Sequence, residues 1–112
     1  QTLAHRRARR IMTQENAAAL CSMLQGVVQE GTGQDAAALE EGAGGKTGTA
    51  QTGQFAAEGA ERKNFWFAGF YPAQDPQYTI VVLQDGQVST PHSGAAIFAR
   101  LCEALRVLQE NA

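Results

Sequence analysis

The sequence predicts an α+β domain, a three-stranded antiparallel sheet flanked by an N-terminal and a C-terminal helix in an α/β layered arrangement. Three observations predict it. Apolar residues recur at helical spacing near both ends of the chain. Two runs between them, residues 65–71 and 77–84, are dense in aromatic and β-branched side chains, as strands are. A third run, Gly44-Gly45-Lys46-Thr47-Gly48-Thr49-Ala50-Gln51, is too small-sided to pack a core. Its bare backbone suits an edge against which another chain can lie. With 112 residues the chain makes at most one small domain.

The elements follow in order. Residues 9–12 read as an extended lead-in. Thr13 is an N-cap candidate with Gln14, Glu15 and Asn16 in the first turn. Leu20, Met23, Leu24, Val27 and Val28 then mark one amphipathic helix over residues 13–29, stopped by Gly31. Residues 34–39 allow one short helical turn, and residues 40–44 form an acidic, glycine-bearing loop. The small-sided strand covers residues 45–52. Residues 53–63 are polar and are expected to be a flexible hairpin connection.

The strand at 65–71, closed by Pro72, places Phe65, Phe67, Gly69 and Tyr71 on one face and Trp66, Ala68 and Phe70 on the other. Both faces are apolar, so a central strand covered on both sides is expected. Gly69 admits a close neighbour. A turn through Asp75-Pro76 leads to the strand at 77–84, which Asp85-Gly86 is expected to end. Ser93 caps a last helix whose stripe is Ile97, Phe98, Leu101, Cys102, Leu105 and Leu108.

Composition excludes several functions. The net charge of -2 argues against a nucleic-acid partner, and the cluster Arg6-Arg7-Ala8-Arg9-Arg10 reads as a solvated terminus. There is neither a membrane-length apolar run nor a signal peptide. Cys21 and Cys102 lack metal-ligand spacing and read as buried small hydrophobes, with a bridge between them as the alternative. His5 and His92 are isolated, and no metal or cofactor is expected. The chain starts with Gln, which suggests a piece of something longer.

A lysine and two hydroxyls on a bare strand suit an anion. A phosphate loop is excluded by context. Its first glycine would fall at Glu40, no buried strand precedes the motif, and no helical pattern follows it. Lys-Thr-Gly on a strand is instead a motif of penicillin-binding proteins and class A β-lactamases. Here the match is longer. Gly45-Lys46-Thr47-Gly48-Thr49-Ala50-Gln51, then Trp66-Phe67-Ala68-Gly69-Phe70-Tyr71-Pro72, then Tyr78-Thr79-Ile80-Val81-Val82-Leu83, with Gly31-Thr32-Gly33 upstream, resembles the C-terminal part of a class B penicillin-binding transpeptidase domain. The resemblance covers residues 12–108, so residues 1–112 are expected to be an incomplete portion of that β-lactamase-like fold.

The resemblance implies acyl transfer on a D-Ala-D-Ala stem peptide through a serine acyl-enzyme, with β-lactam binding, in a parent anchored to the bacterial cell membrane and working on its outer side. It assigns Lys46 and Thr49 as catalytic: Lys46 for positive potential at the reacting centre, Thr49 for a main-chain oxyanion donor. Thr47, Gly48 and Thr49 are the substrate-binding residues, two hydroxyls for the terminal carboxylate and a glycine for close backbone approach. The family's Ser-x-x-Lys is absent: Ser22, Ser89 and Ser93 are followed three residues later by Gln25, His92 and Ala96. Ser-x-Asn is absent as well. The chain by itself is therefore expected to be inactive, the missing N-terminal part of the domain being its partner.

Two alternatives stand beside this reading. A class D β-lactamase or β-lactam sensor commonly has Trp after Lys-Thr-Gly, where this chain has Thr49. A non-enzymatic peptide-binding module would use the same edge without chemistry. In the plainest reading, Lys46 only protects an edge strand from aggregation. The apolar strand at 77–84, lacking its next neighbour, is expected to give a homodimer, through that edge or by exchange of a terminal helix, unless residues 1–12 fold over it.

Overall fold

The computed structural model describes Ala4 and residues 7–112. The chain runs α1 (Gln14–Glu30), a 3-10 turn (Gln34–Ala36), β1 (Gly44–Phe55), β2 (Glu61–Tyr71), β3 (Tyr78–Gln87) and α2 (Gly94–Glu110). The strands form one antiparallel sheet in the order β1-β2-β3. The expected fold class is the observed one.

Both helices start where their caps dictate. The Asn16 amide donates to Thr13 Oγ1 at 3.2 Å, and the Ala96 amide to Ser93 Oγ at 3.1 Å. Each hydroxyl satisfies a first-turn N–H that has no intrahelical partner. At the end of α2, Arg106 pairs with Glu103 and Glu110, both at 2.5 Å.

The hairpin expected at residues 53–63 is present, but most of that stretch is paired strand instead of loose connection. β1 continues to Phe55 and β2 begins at Glu61, joined by a tight turn in which the Ala56 amide donates to the Ala60 carbonyl at 2.8 Å. Polar residues hid this pairing, because backbone hydrogen bonds hold it without a core. The register shifts between Gln51 and Gln54, where Gly53 takes φ +73° and its amide donates to Glu61 Oε1 at 3.2 Å. Likewise Asp85-Gly86 does not end β3. The strand runs to Gln87, with Gly86 at φ +61° beside a second register shift. The Gly86 amide donates to the Asn64 side chain at 2.8 Å, so a side chain replaces the interrupted ladder.

The core lies between the sheet and α2. Phe67, Tyr71 and Val82 face Ala95, Phe98 and Cys102, all buried. The Phe67 and Phe98 rings are tilted, with centroids 5.0 Å apart, a favoured aromatic geometry. Burial pushes the Cys102 thiol up to about 11. Burial also pushes the Tyr71 phenol up, and the nearby Glu41 carboxylate acts in the same direction. Both cysteines are free: Cys102 is buried as expected, whereas Cys21 is only half-buried.

The other face of the sheet departs from expectation. Leu24 of α1 meets Ala68, Phe70 and Thr79 around a hollow of about 170 Å³. Beyond it, Trp66, Val81 and Leu83 are exposed, at 42%, 58% and 43%. The central strand is thus buried at Phe67, Gly69 and Tyr71 on one face and only partly covered on the other, where Leu24 of α1 lies. The helical stripes are narrower than their sequence spacing suggests. Leu20 and Met23 of α1 and Leu101 and Leu108 of α2 are exposed. Within the lead-in, residues 7–12 are exposed and belong to no strand. His5 and Arg6 lie outside the described residues.

Candidate functional site

Lys46, Thr47, Gly48 and Thr49 sit on β1, which has β2 on one side and no strand on the other among the described residues. Alternation divides them between two faces. Lys46 pairs with Ala68 and Gly48 with Trp66, on the partly open face. Thr47 pairs with Phe67 and Thr49 with Phe65, on the face that carries α2. The four residues therefore share an edge, not a face. A ligand lying along that edge can reach both sets, while one lying flat on either face reaches two.

The glycines serve different ends than the sequence suggested. Gly44 and Gly45 are buried. A Cβ on Gly44 would collide with the Phe70 ring, and one on Gly45 with the Phe67 ring and the Ala68 carbonyl. Their bareness admits the chain's own β2. Of the three glycines in the Gly44–Thr49 stretch only Gly48 is open outward, its nearest neighbour being Trp66 Cβ at 3.7 Å from a would-be Cβ. Gly69 behaves as expected, since a Cβ there would lie 2.8 Å from the Gly44 carbonyl and from the Phe98 ring. These contacts seat β1 tightly on the sheet and so fix the height of the Lys46–Thr49 edge.

Lys46 is exposed, and its ammonium donates to the Thr47 carbonyl at 3.0 Å. It makes no ion pair among the described residues. A cation with no carboxylate beside it keeps its positive potential for a ligand. Thr47 is half-buried, with its hydroxyl 3.0 Å from that of Thr32. Thr49 is exposed.

Two supports were missed by sequence reasoning. Thr32 meets Thr47 across fifteen residues of chain. Ser93, read only as a cap, also donates its hydroxyl to the Asp35 carboxylate and so ties the 3-10 turn to the start of α2. Neither pairing has a local signature. The one available hint was Gly31-Thr32-Gly33, a lone hydroxyl between two chain-bending residues. The arrangement as a whole offers a free cation, two hydroxyls and a strand edge, which is the equipment for holding an extended peptide that ends in a carboxylate.

Known proteins bear on this geometry. A family model described as the penicillin-binding protein transpeptidase domain matches residues 3–103. The chain is 32% identical over 91 residues to stage V sporulation protein D of Bacillus subtilis, covering 81% of this chain and 14% of that protein. It is 39% identical over 85 residues to penicillin-binding protein PbpB of Mycolicibacterium smegmatis, covering 68% of this chain and 13% of that one. Among solved structures it resembles penicillin-binding protein 3 of Mycobacterium tuberculosis complexed with ampicillin. The TM-score is 0.65 at 30% identity, over 88% of this chain and 25% of that one. The chain thus spans about one seventh of the length of its curated relatives, and β1 lies within the residues that the family model matches. This chain belongs to the penicillin-binding protein transpeptidase domain family.

Proposed function

We propose that residues 1–112 form the C-terminal portion of a transpeptidase domain and supply one wall of the catalytic cleft of a serine D,D-transpeptidase. The observation that carries this reading is the free edge of β1, on which Lys46 is exposed without an ion-pair partner and Gly48 is bare on its outward side. The stem peptide adds along that edge as a further strand. Thr47 and Thr49 donate hydroxyls to its terminal carboxylate. The serine, from the part of the domain outside this chain, attacks the carbonyl of the D-Ala-D-Ala bond. Negative charge gathers on that carbonyl oxygen, where the Thr49 amide is one donor and Lys46 adds positive potential. The terminal D-Ala leaves with a proton, and the amine of a second stem peptide takes the acyl group from the serine. A β-lactam follows the same path as far as the acyl-enzyme, and the relative complexed with ampicillin supports that ligand class.

In this reading the parent works on the outer side of the bacterial cell membrane, as its cell-wall substrate requires. No helix among the described residues is long and apolar enough to cross a membrane.

The test is covalent labelling with a fluorescent penicillin, read on a denaturing gel. The parent enzyme is expected to label, and this chain alone is expected not to, because it has no Ser-x-x-Lys. A specific band on the chain alone, abolished by prior heat denaturation, would overturn the assignment of the nucleophile to another segment.

A further inference from the structure

Gly31-Thr32-Gly33 has no part in the function proposed above, yet it lies against the strand that does. The Gly31 and Gly33 amides both donate to the Val27 carbonyl, each at 3.0 Å. They close the C-terminus of α1 by satisfying one of its last carbonyls. Gly33 is buried, and a Cβ there would lie 3.4 Å from Val28 Cα and Cγ2. The chain beyond is held by buried Ala36 and by the Ser93–Asp35 hydrogen bond. Thr32 is thus the single side chain of a loop fixed on both sides, and its hydroxyl lies 3.0 Å from that of Thr47.

Proton direction gives this contact its meaning. A hydroxyl has one proton to donate and two lone pairs to accept with, while a carboxylate only accepts. Were Thr47 to donate to Thr32, no proton would remain for an anion. When Thr32 donates to Thr47, the Thr47 proton is free and its oxygen is polarised, which strengthens the outward bond. Thr47 is β-branched and stiff at χ1, so the contact also holds one rotamer.

We propose that Thr32 is a positioning residue: it donates to Thr47 and so aims the Thr47 proton at the carboxylate of the incoming peptide or β-lactam. The inference rests on the carboxylate-binding role proposed for Thr47. Thr32 itself touches no substrate.

The experiment measures acylation rate constants of the parent transpeptidase with benzylpenicillin and with its methyl ester, which lacks the carboxylate. The variants are Thr32→Val, Thr32→Ala, Thr32→Ser and Thr47→Val, with thermal midpoints to report folding. Thr32→Val and Thr32→Ala are expected to lose about tenfold on the free acid and under about twofold on the ester, the scale of one hydrogen bond to a charged group. Thr32→Ser is expected to recover the acid rate to within about twofold, because it restores the donor. Equal losses on acid and ester would make Thr32 merely structural and overturn the inference. Unchanged rates would overturn it too. If Thr47→Val discriminates acid from ester and Thr32→Val does not, the inference alone fails. If Thr47→Val shows no discrimination either, the carboxylate role of Thr47 fails first and takes the inference with it.

Discussion

The sheet has two edges of opposite character. β1 reads Gly-Gly-Lys-Thr-Gly-Thr-Ala-Gln-Thr-Gly-Gln-Phe, and β3 reads Tyr-Thr-Ile-Val-Val-Leu-Gln-Asp-Gly-Gln. Both are unpaired on one side among the described residues. β1 has a cation, hydroxyls and little apolar surface, so water solvates it well, and the peptide proposed to lie there would take that water's place. β3 exposes Val81 and Leu83 and has no charge before Asp85, so a bare β3 is a template for another strand. The difference teaches that an unpaired edge is not by itself a site. The side chains decide how well water can solvate an edge.

The comparison breaks most completely if the strand between the edges is lost. Phe67 of β2 is fully buried against Phe98 and beneath Gly45 and Gly94. Phe67→Ala is expected to cost about 3–5 kcal/mol, read as a fall in the urea midpoint or loss of a cooperative transition. Both edges would go together. A cost under about 1 kcal/mol would remove Phe67 from the core.

The next test separates chemistry from folding on β1. Lys46 is exposed and its one hydrogen bond is to the adjacent carbonyl, so Lys46→Ala should leave the thermal midpoint nearly unchanged. In the parent it is expected to slow β-lactam acylation by at least about 100-fold, the scale of one preorganised electrostatic partner. A near-normal rate in the folded variant would reduce Lys46 to a guard on an edge strand.

The smallest effect is expected at β3. The 112-residue chain by itself should form a dimer through this edge, in the apolar manner that β1 cannot use. Light scattering at about 100 μM, within the range where exposed edges associate, should give twice the monomer mass. Val81→Lys, on the open face, should restore the monomer by placing a charge in the contact. A monomeric mass for the unmodified chain would show that β3 is protected and that the contrast between the edges is one of composition only.

Much of this was legible in the sequence. Thr13 and Ser93 marked both helix starts because a cap acts over three residues. The Lys46 strand was legible as a bare edge because its residue types are meaningless in a core, and the same types suit an anion. Three readings failed for a common reason. The polar stretch at 53–63, the Asp85-Gly86 stop and the two-sided covering of β2 all depend on what lies across a strand. In the first two, a register shift admits a glycine at positive φ and lets the ladder continue. In the third, apolar alternation reported only that both faces of β2 can be covered.

The sequence by itself determined the order of elements, their caps, the family to which the chain belongs and the choice of β1 as the candidate site strand. These are local properties, or follow from motifs in fixed order. Only the tertiary structure decided that Gly44 and Gly45 make room for Phe70 and Phe67, that Thr47 is on the face carrying α2 and Lys46 on the partly open one, and that Thr32 meets Thr47. Each of those joins groups distant in sequence or depends on register, and a one-residue slip in register would exchange every face.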